Sequence, residues 1–259
     1  MYHILYAMID DNDTNAVPSA ILDYTEFLTL KVDKAQKLSK GQRTRLRVTA
    51  AASRILAENG YHNLRMADIT NEAGVSHGAI YRYFENKRAV AFEVLSGHGQ
   101  WALDFMPPSE GSMSAYRRIH SSMSHFIDLF RSNIGLMRCN RQLCDEFPEF
   151  DELQMKNNAA WYRQVAAGMA RRAGTTERAR GETFGVASAL GGMVDEMLHN
   201  VFVREDPSLT HFRRAPAKLV TMLSILWYRA AFAENPPSEE VNGAHPLLEL
   251  KGVVRPDQP

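Results

Sequence analysis

Glu196-Met197-Leu198-His199 sets a carboxylate and an imidazole three residues apart on one helical face. That spacing is half of the donor set of a two-metal carboxylate bundle. The full set needs a second Glu-x-x-His and two more glutamates, and the 259-residue chain holds no second copy. Cys139 and Cys144 fall on different helical faces, which suits two buried thiols better than a redox pair. No glycine-rich phosphate loop, His-Glu-x-x-His pair or Gly-x-Ser-x-Gly elbow is present. No catalytic residue, cofactor or metal is therefore assigned, and the chain is not read as an enzyme. What remains is a set of polar residues on otherwise apolar stretches: His120, His125, Arg138, Arg141, Asp195 and His199. Each is either a satisfied or solvent-facing polar group or a ligand contact.

The elements that must position these groups are helices. Val48, Ala52, Ile55 and Leu56 share one face of a helix from Gln42 to Asn59, with Gly60 as its C-cap. A second helix spans Met66 to Ala73, Gly74-Val75-Ser76 turns, and Ser76 caps a third through Phe84. A fourth starts near Asn86 and runs to about Phe105, where Pro107-Pro108 stops it. Further helices are expected at Ser114–Ser132, Leu136–Cys144, Leu153–Ala173, Glu177–Arg204 and Leu209–Glu234. Only Phe27 to Val32 is ambiguous with a strand. The fold class is all-α.

Charge is balanced overall, 30 Lys and Arg against 30 Asp and Glu, but unevenly spread. Residues 40–90 carry nine basic and four acidic side chains, whereas residues 1–39 carry three and six. A small basic module on a slightly acidic body is the pattern of a nucleic-acid-binding head. Two cysteines cannot staple a secreted scaffold, Met1–Ile9 has no basic flank or cleavage site, and no stretch reaches 18 uninterrupted apolar residues. The expectation is a soluble cytoplasmic protein with no membrane partner.

Ala73-Gly74-Val75-Ser76 between two short helices fits a helix-turn-helix: a small residue lets the helices approach, glycine takes the turn, and valine plugs beneath it. Gly60-Tyr61, Ala67-Asp68-Ile69, Ala73-Gly74-Val75-Ser76, Gly78, Ile80-Tyr81-Arg82-Tyr83-Phe84 and Lys87 together resemble the DNA-binding domain of the tetracycline-repressor-like (TetR/AcrR) family of bacterial regulators. The resemblance covers about residues 42–90. It departs at Leu64 and Arg65, where the family usually has threonine with threonine or serine, and at Thr70, where it has alanine.

The resemblance implies that His77, Ala79 and Arg82 face base edges, that Tyr81 and Tyr83 set hydroxyls on phosphates, and that Lys87 pairs with another phosphate. Arg43, Thr44 and Arg45 at the first helix's start are further phosphate candidates, and Asn63 and Arg65 are the candidates to replace the absent threonine's cap and phosphate bond. It also implies a C-terminal helical-bundle domain for ligand binding and dimerisation. Within such a body, Met123, Phe126, Phe130, Arg138, Arg141, Trp161, Asp195 and His199 are the candidates for lining a hydrophobic effector cavity. Small residues Gly185 to Gly192, with Leu219, Leu223, Leu226 and Trp227, would pack a homodimer. The expected domains are 1–39, an extension that is flexible or an extra helix; 40–90, the DNA-binding domain; 91–235, the effector and dimerisation domain; and 236–259, a mobile tail. The implied function is a repressor released from a palindromic duplex operator by a small hydrophobic effector. A ligand-independent DNA-binding regulator and a metal-dependent bundle enzyme are the alternatives.

Overall fold

Tyr24, Phe27 and Leu28 lie on one helical face, and Asp23 accepts the Glu26 N–H at 2.9 Å. The stretch around them is therefore helix α1 (Tyr24–Asp33), not the strand that Phe27 to Val32 suggested. A computed structural model describes residues 22–104, 113–173, 179–241 and 245–249, and those residues contain no strand. A capping box between Ser39 and Gln42 opens α2 (Lys40–Asn63) two residues before the expected start. At Gly60 (φ 75°, ψ 170°), the expected C-cap, the backbone leaves helical conformation and the chain kinks into a further short helical stretch. Then come α3 (Met66–Ala73), α4 (His77–Ile80) and α5 (Lys87–Asp104).

The body comprises α6 (Ala115–Ser132), α7 (Ile134–Glu146), α8 (Pro148–Ala173), α9 (Ala179–Leu198), α10 (Thr210–Arg214), α11 (Pro216–Phe232) and α12 (Pro246–Glu249). Two prolines act differently from the sequence expectation. Pro148 begins α8 instead of merely ending the stretch before it, because the first helical position needs no N–H partner. Pro216 divides the single helix expected from Leu209 to Glu234: it forces Ala215 out of helical conformation and starts α11 afresh. Past α9 the chain makes a π turn, His199–Val203.

Head and body share their packing. One apolar core takes in α1 to α5 together with Leu136, Cys139 and Leu143 of α7, so the boundary drawn at residue 90 cuts through continuous structure. A second core joins α6, α9 and α11 through Ile127, Phe130, Leu198, Leu219 and Leu223. The expected mobile tail begins ordered: Val241, 2% exposed, packs with Tyr116, Ile225 and Tyr228, and α12 follows. Residues 1–21 and 250–259 lie outside the described residues.

Asn133, buried between α6 and α7, ties the extension to the body. It accepts the Tyr24 N–H at 2.9 Å and donates to the carbonyls of Leu22 (2.6 Å) and Leu129 (2.8 Å). Tyr24 in turn packs on Trp101 and His98 of α5, both at 5.4 Å between ring centres. Two predictions follow from this knot. Asn133→Ala strands the Tyr24 N–H and the Leu22 carbonyl, and is expected to cost about 2–4 kcal/mol in urea unfolding; a loss below about 0.5 kcal/mol contradicts the tie.

The second prediction concerns His98, which is 5% exposed; burial pushes its imidazole from 6.5 down to about 4. On acidification the unfolded chain takes up this proton first, so stability is withdrawn as pH falls from 6.5 towards 4, by roughly 3 kcal/mol in all. The stability of wild type relative to His98→Phe should fall by that amount between pH 7 and pH 4. A parallel pair of profiles refutes it.

Candidate nucleic-acid interface and effector cavity

Gly74 takes the left-handed conformation (φ 59°, ψ 43°) that turns α3 into α4, and Val75 N–H closes the turn on the Thr70 carbonyl at 3.0 Å. Ile69, Ala73, Ile80 and Phe84 are buried beneath it, as is Tyr61. Ser76 stands at the N-cap of α4 with extended backbone, but its side chain makes no capping bond. Regular α-helix ends at Ile80, and Tyr81–Tyr83 continue as turn.

The side chains this turn presents are the expected ones. His77 and Arg82 are exposed, Ala79 is half-buried, and Tyr81 is 48% exposed with the His77 ring edge-on against it at 5.3 Å. Tyr83 is half-buried, its hydroxyl beside Gly41 at the start of α2. A methyl group built on Gly78 meets nothing within 4 Å, so this face is open for close approach. Arg43 and Arg65 are exposed on the flanks and have no ion-pair partner among the described residues.

Other head cations are engaged internally. Arg45 makes a two-point ion pair with Glu93 of α5 (3.0 and 2.8 Å) and lies over the Phe84 ring. Lys87 Nζ donates to the carbonyls of Tyr61 (3.2 Å) and His62 (3.5 Å) above the Tyr61 ring. Thr44 turns its hydroxyl back to the Lys40 carbonyl at 2.9 Å. Arg47, which sequence reasoning missed, donates to the Gly74 carbonyl at 3.3 Å and braces the turn.

The body encloses a cavity of about 1140 Å³ between α5, α6, α7, α8, α9 and α11. It gathers most of the expected residues: Met123, Phe126 and Phe130 from α6, Arg141 from α7, Trp161 from α8, Asp195 from α9 and His199 just beyond. Arg138 is not among them. It precedes the fully buried Cys139 on α7 and points to solvent, while Met137, Arg141 and Cys144 face the cavity. Missed contributors are His98, Tyr162, Trp227 and an amide chain in which Asn140 donates to Gln154 (2.7 Å) and Gln154 to Asn158 (3.2 Å). The asparagine pair Asn157-Asn158 on an amphipathic helix was the available signal.

Burial pushes the Asp195 carboxyl up to about 6, opposed by the positive charge of Arg141. Arg141 itself bonds Glu196 at 2.8 Å, and Glu196 also takes Arg204 at 2.7 Å. The Glu196-x-x-His199 carboxylate is thus committed to two guanidiniums. Among the described residues no three His, Cys, Asp or Glu side chains converge as metal donors. Nor is any described helix long and apolar enough to cross a membrane. Cys139 is fully buried and donates to the Leu56 carbonyl at 3.3 Å, while burial and then Asp151 and Asp145 push the Cys144 thiol up to about 11. Neither thiol is activated.

Comparison with known proteins agrees with this geometry. The family described as bacterial regulatory proteins, tetR family, matches residues 48–94. The HTH-type transcriptional regulator EthR of Mycolicibacterium smegmatis is 24% identical over 73% of this chain and 86% of its own length. The fatty acid metabolism regulator protein of Bacillus subtilis is 42% identical over 45 residues, 17% of this chain and 23% of its own. The solved structure of Salmonella enterica GusR shares the fold, with a TM-score of 0.59 and 19% identity over 76% of this chain and 99% of that one. Residues 48–94 thus form a helix-turn-helix that matches the tetR family of bacterial regulatory proteins, on a chain similar over most of its length to a transcriptional regulator.

Proposed function

We propose that the protein is a repressor that binds a palindromic duplex operator as a homodimer and is released by a small, largely apolar effector in the body cavity. The observation that carries this reading is α5. Leu95, His98, Gly99 and Ala102 of that helix line the cavity, and Glu93 one turn earlier holds Arg45 of the DNA-binding head. One helix of about 27 Å thus joins ligand wall to head. An effector that shifts α5 moves α2 with it and changes the spacing of the two reading turns. A coupling of about 1–3 kcal/mol gives a 5–150-fold loss of operator affinity. The ligand-independent alternative would suit a body without a cavity.

The homodimer assignment is narrower than the sequence suggested. Leu219, Leu223 and Trp227 are buried in the protomer's own core, and Gly191 is filled by the Tyr162 ring. Gly185, Ala189 and Gly192 of α9 remain exposed along one side and leave a smooth surface for close helix packing across a two-fold axis. Leu226 and Met222 of α11 supply partly exposed apolar bulk.

The proposed DNA contacts are His77, Ala79 and Arg82 on base edges, Tyr81 and Tyr83 on phosphates, and Arg43 and Arg65 as flanking cations. Arg45 and Lys87 act chiefly to hold the head together. Selection of bound sites from random duplex DNA should recover a palindrome with wild type and lose it with Tyr81→Ala, while unsorted sequences from wild type refute the reading. Arg82→Ala is expected to cost about 1–3 kcal/mol and to relax preference at one position per half-site. Arg43→Ala should weaken all sequences alike and lower the salt slope by about 0.9 per phosphate contact. A third variant separates the signal from binding. Glu93→Gln breaks the Arg45 pair and should leave effector affinity intact while shrinking operator release, as measured by fluorescence anisotropy.

A further inference from the structure

The polar atoms of the cavity wall say which effector chemistry fits, if the cavity is the effector site as proposed above. His199 Nδ1 lies 2.9 Å from the Asp195 carbonyl, which can only accept, so Nδ1 carries the proton. In the neutral ring Nε2 is then an acceptor, and it is buried with no partner among the described residues. The Asp195 carboxylate, one turn earlier on the same face, also takes no hydrogen bond from a described residue. Trp227, 6% exposed, lines the same cavity with its Nε1–H unpartnered.

Rings flank these acceptors. Gly191, one turn before Asp195, allows the Tyr162 ring to lie against α9: a methyl group there would sit 2.2 Å from its Cε1. Phe130 meets the His199 ring edge-on at 5.2 Å, and Trp161 crosses Trp227 at 5.7 Å. The remaining wall charge is negative. Arg141 is paired with Glu196; Arg118, bonded to the neutral Met113 carbonyl, keeps its charge, against the three carboxylates Asp145, Asp151 and Asp195. A carboxylate and an imidazole lone pair set among π faces match a cation that carries N–H donors.

We propose that the effector is an organic cation, an apolar amine whose ammonium N–H groups bond the Asp195 carboxylate and His199 Nε2 while its body lies along Trp161, Trp227 and Phe126. Trp227 Nε1–H takes an oxygen where the amine carries one. A carboxylate-headed molecule meets the wrong charge at this end of the cavity.

The test compares decylamine, decanol and decanoate, each below its micelle-forming concentration, on the full-length protein by calorimetry, with operator release read in parallel. Decylamine is expected to bind roughly 10- to 100-fold tighter than decanol, with decanoate weakest. Asp195→Asn should bring the amine-to-alcohol ratio to within about threefold while leaving helical circular dichroism unchanged, and Asp195→Glu should restore the preference. Decanol or decanoate binding as tightly as the amine, a preference that survives Asp195→Asn, or no binding by any of the three overturns the assignment. The two readings fail separately. Asp195-dependent amine binding that leaves operator affinity unmoved upholds the cation site and refutes effector release; decanoate-driven release does the reverse.

Discussion

The contact on which the molecule's behaviour depends is between two backbones. At Gly135, near the start of α7, a methyl group would fall 2.0 Å from the carbonyl oxygen of Ala57 in α2. Only glycine lets the body's helix come that close to the head's first helix. One turn further on, Cys139 donates its thiol proton to Leu56 in the same helix, and just before, Asn133 holds the α1 extension in place. The head is therefore not a module on a hinge. It is keyed into the body at backbone distance, and packed interfaces of this kind move as rigid pieces between discrete arrangements.

That keying explains how the head's positive charge is divided. Arg45 and Lys87 could be read from sequence as phosphate contacts, yet their geometry serves the frame. The first clamps α2 to α5, and the second satisfies carbonyls at the end of α2 that Gly60 has kinked away from regular helix. The Arg45–Glu93 pair is two-point and so fixes the direction between the two helices, with the arginine side chain 47% exposed. Arg43, Arg65 and Arg82, which have no ion-pair partner among the described residues, lie exposed in the same head as the turn from His77 to Tyr83. The internal contacts thus draw on Arg45 and Lys87 and leave the other members of the basic cluster around the exposed turn.

What could be read from sequence follows the range of the forces involved. The helix-turn-helix was legible because Ala73, Gly74 and Val75 are dictated by local sterics. α1 was half legible: its apolar residues were visible, but Phe27, Thr29 and Val32 also suit a strand, and packing on Trp101 decides. The capping box Ser39-x-x-Gln42 was legible and overlooked. The sequence reading places Pro148 in the stretch that ends a helix and passes over Pro216 inside one, although proline is at home as a first helical residue. Arg138 and Arg141 looked alike because both are basic residues on the one amphipathic helix α7. Which one faces a cavity depends on where α8 and α9 lie, and that is set by contacts such as Gly191 against Tyr162, far apart in sequence.

The same long-range packing leaves a carboxylate in a costly place. Asp195 has its pKa raised from 3.8 to about 6, so at neutral pH its ionised form is disfavoured in the fold by roughly 3 kcal/mol, a cost that disappears as pH falls below about 4. His98, across the same cavity, has the opposite sign, losing stability over much of that range. The two contributions oppose each other between pH 6 and pH 4 and flatten the profile of the whole protein. A fold under selection for stability alone would replace Asp195 with an apolar residue. Its presence beside an imidazole lone pair is accounted for by a bound positive charge, which would recover part of that cost at the moment of binding. Because Leu95, His98 and Ala102 of α5 form another wall of this space, the recovered free energy is available at the helix that holds the head.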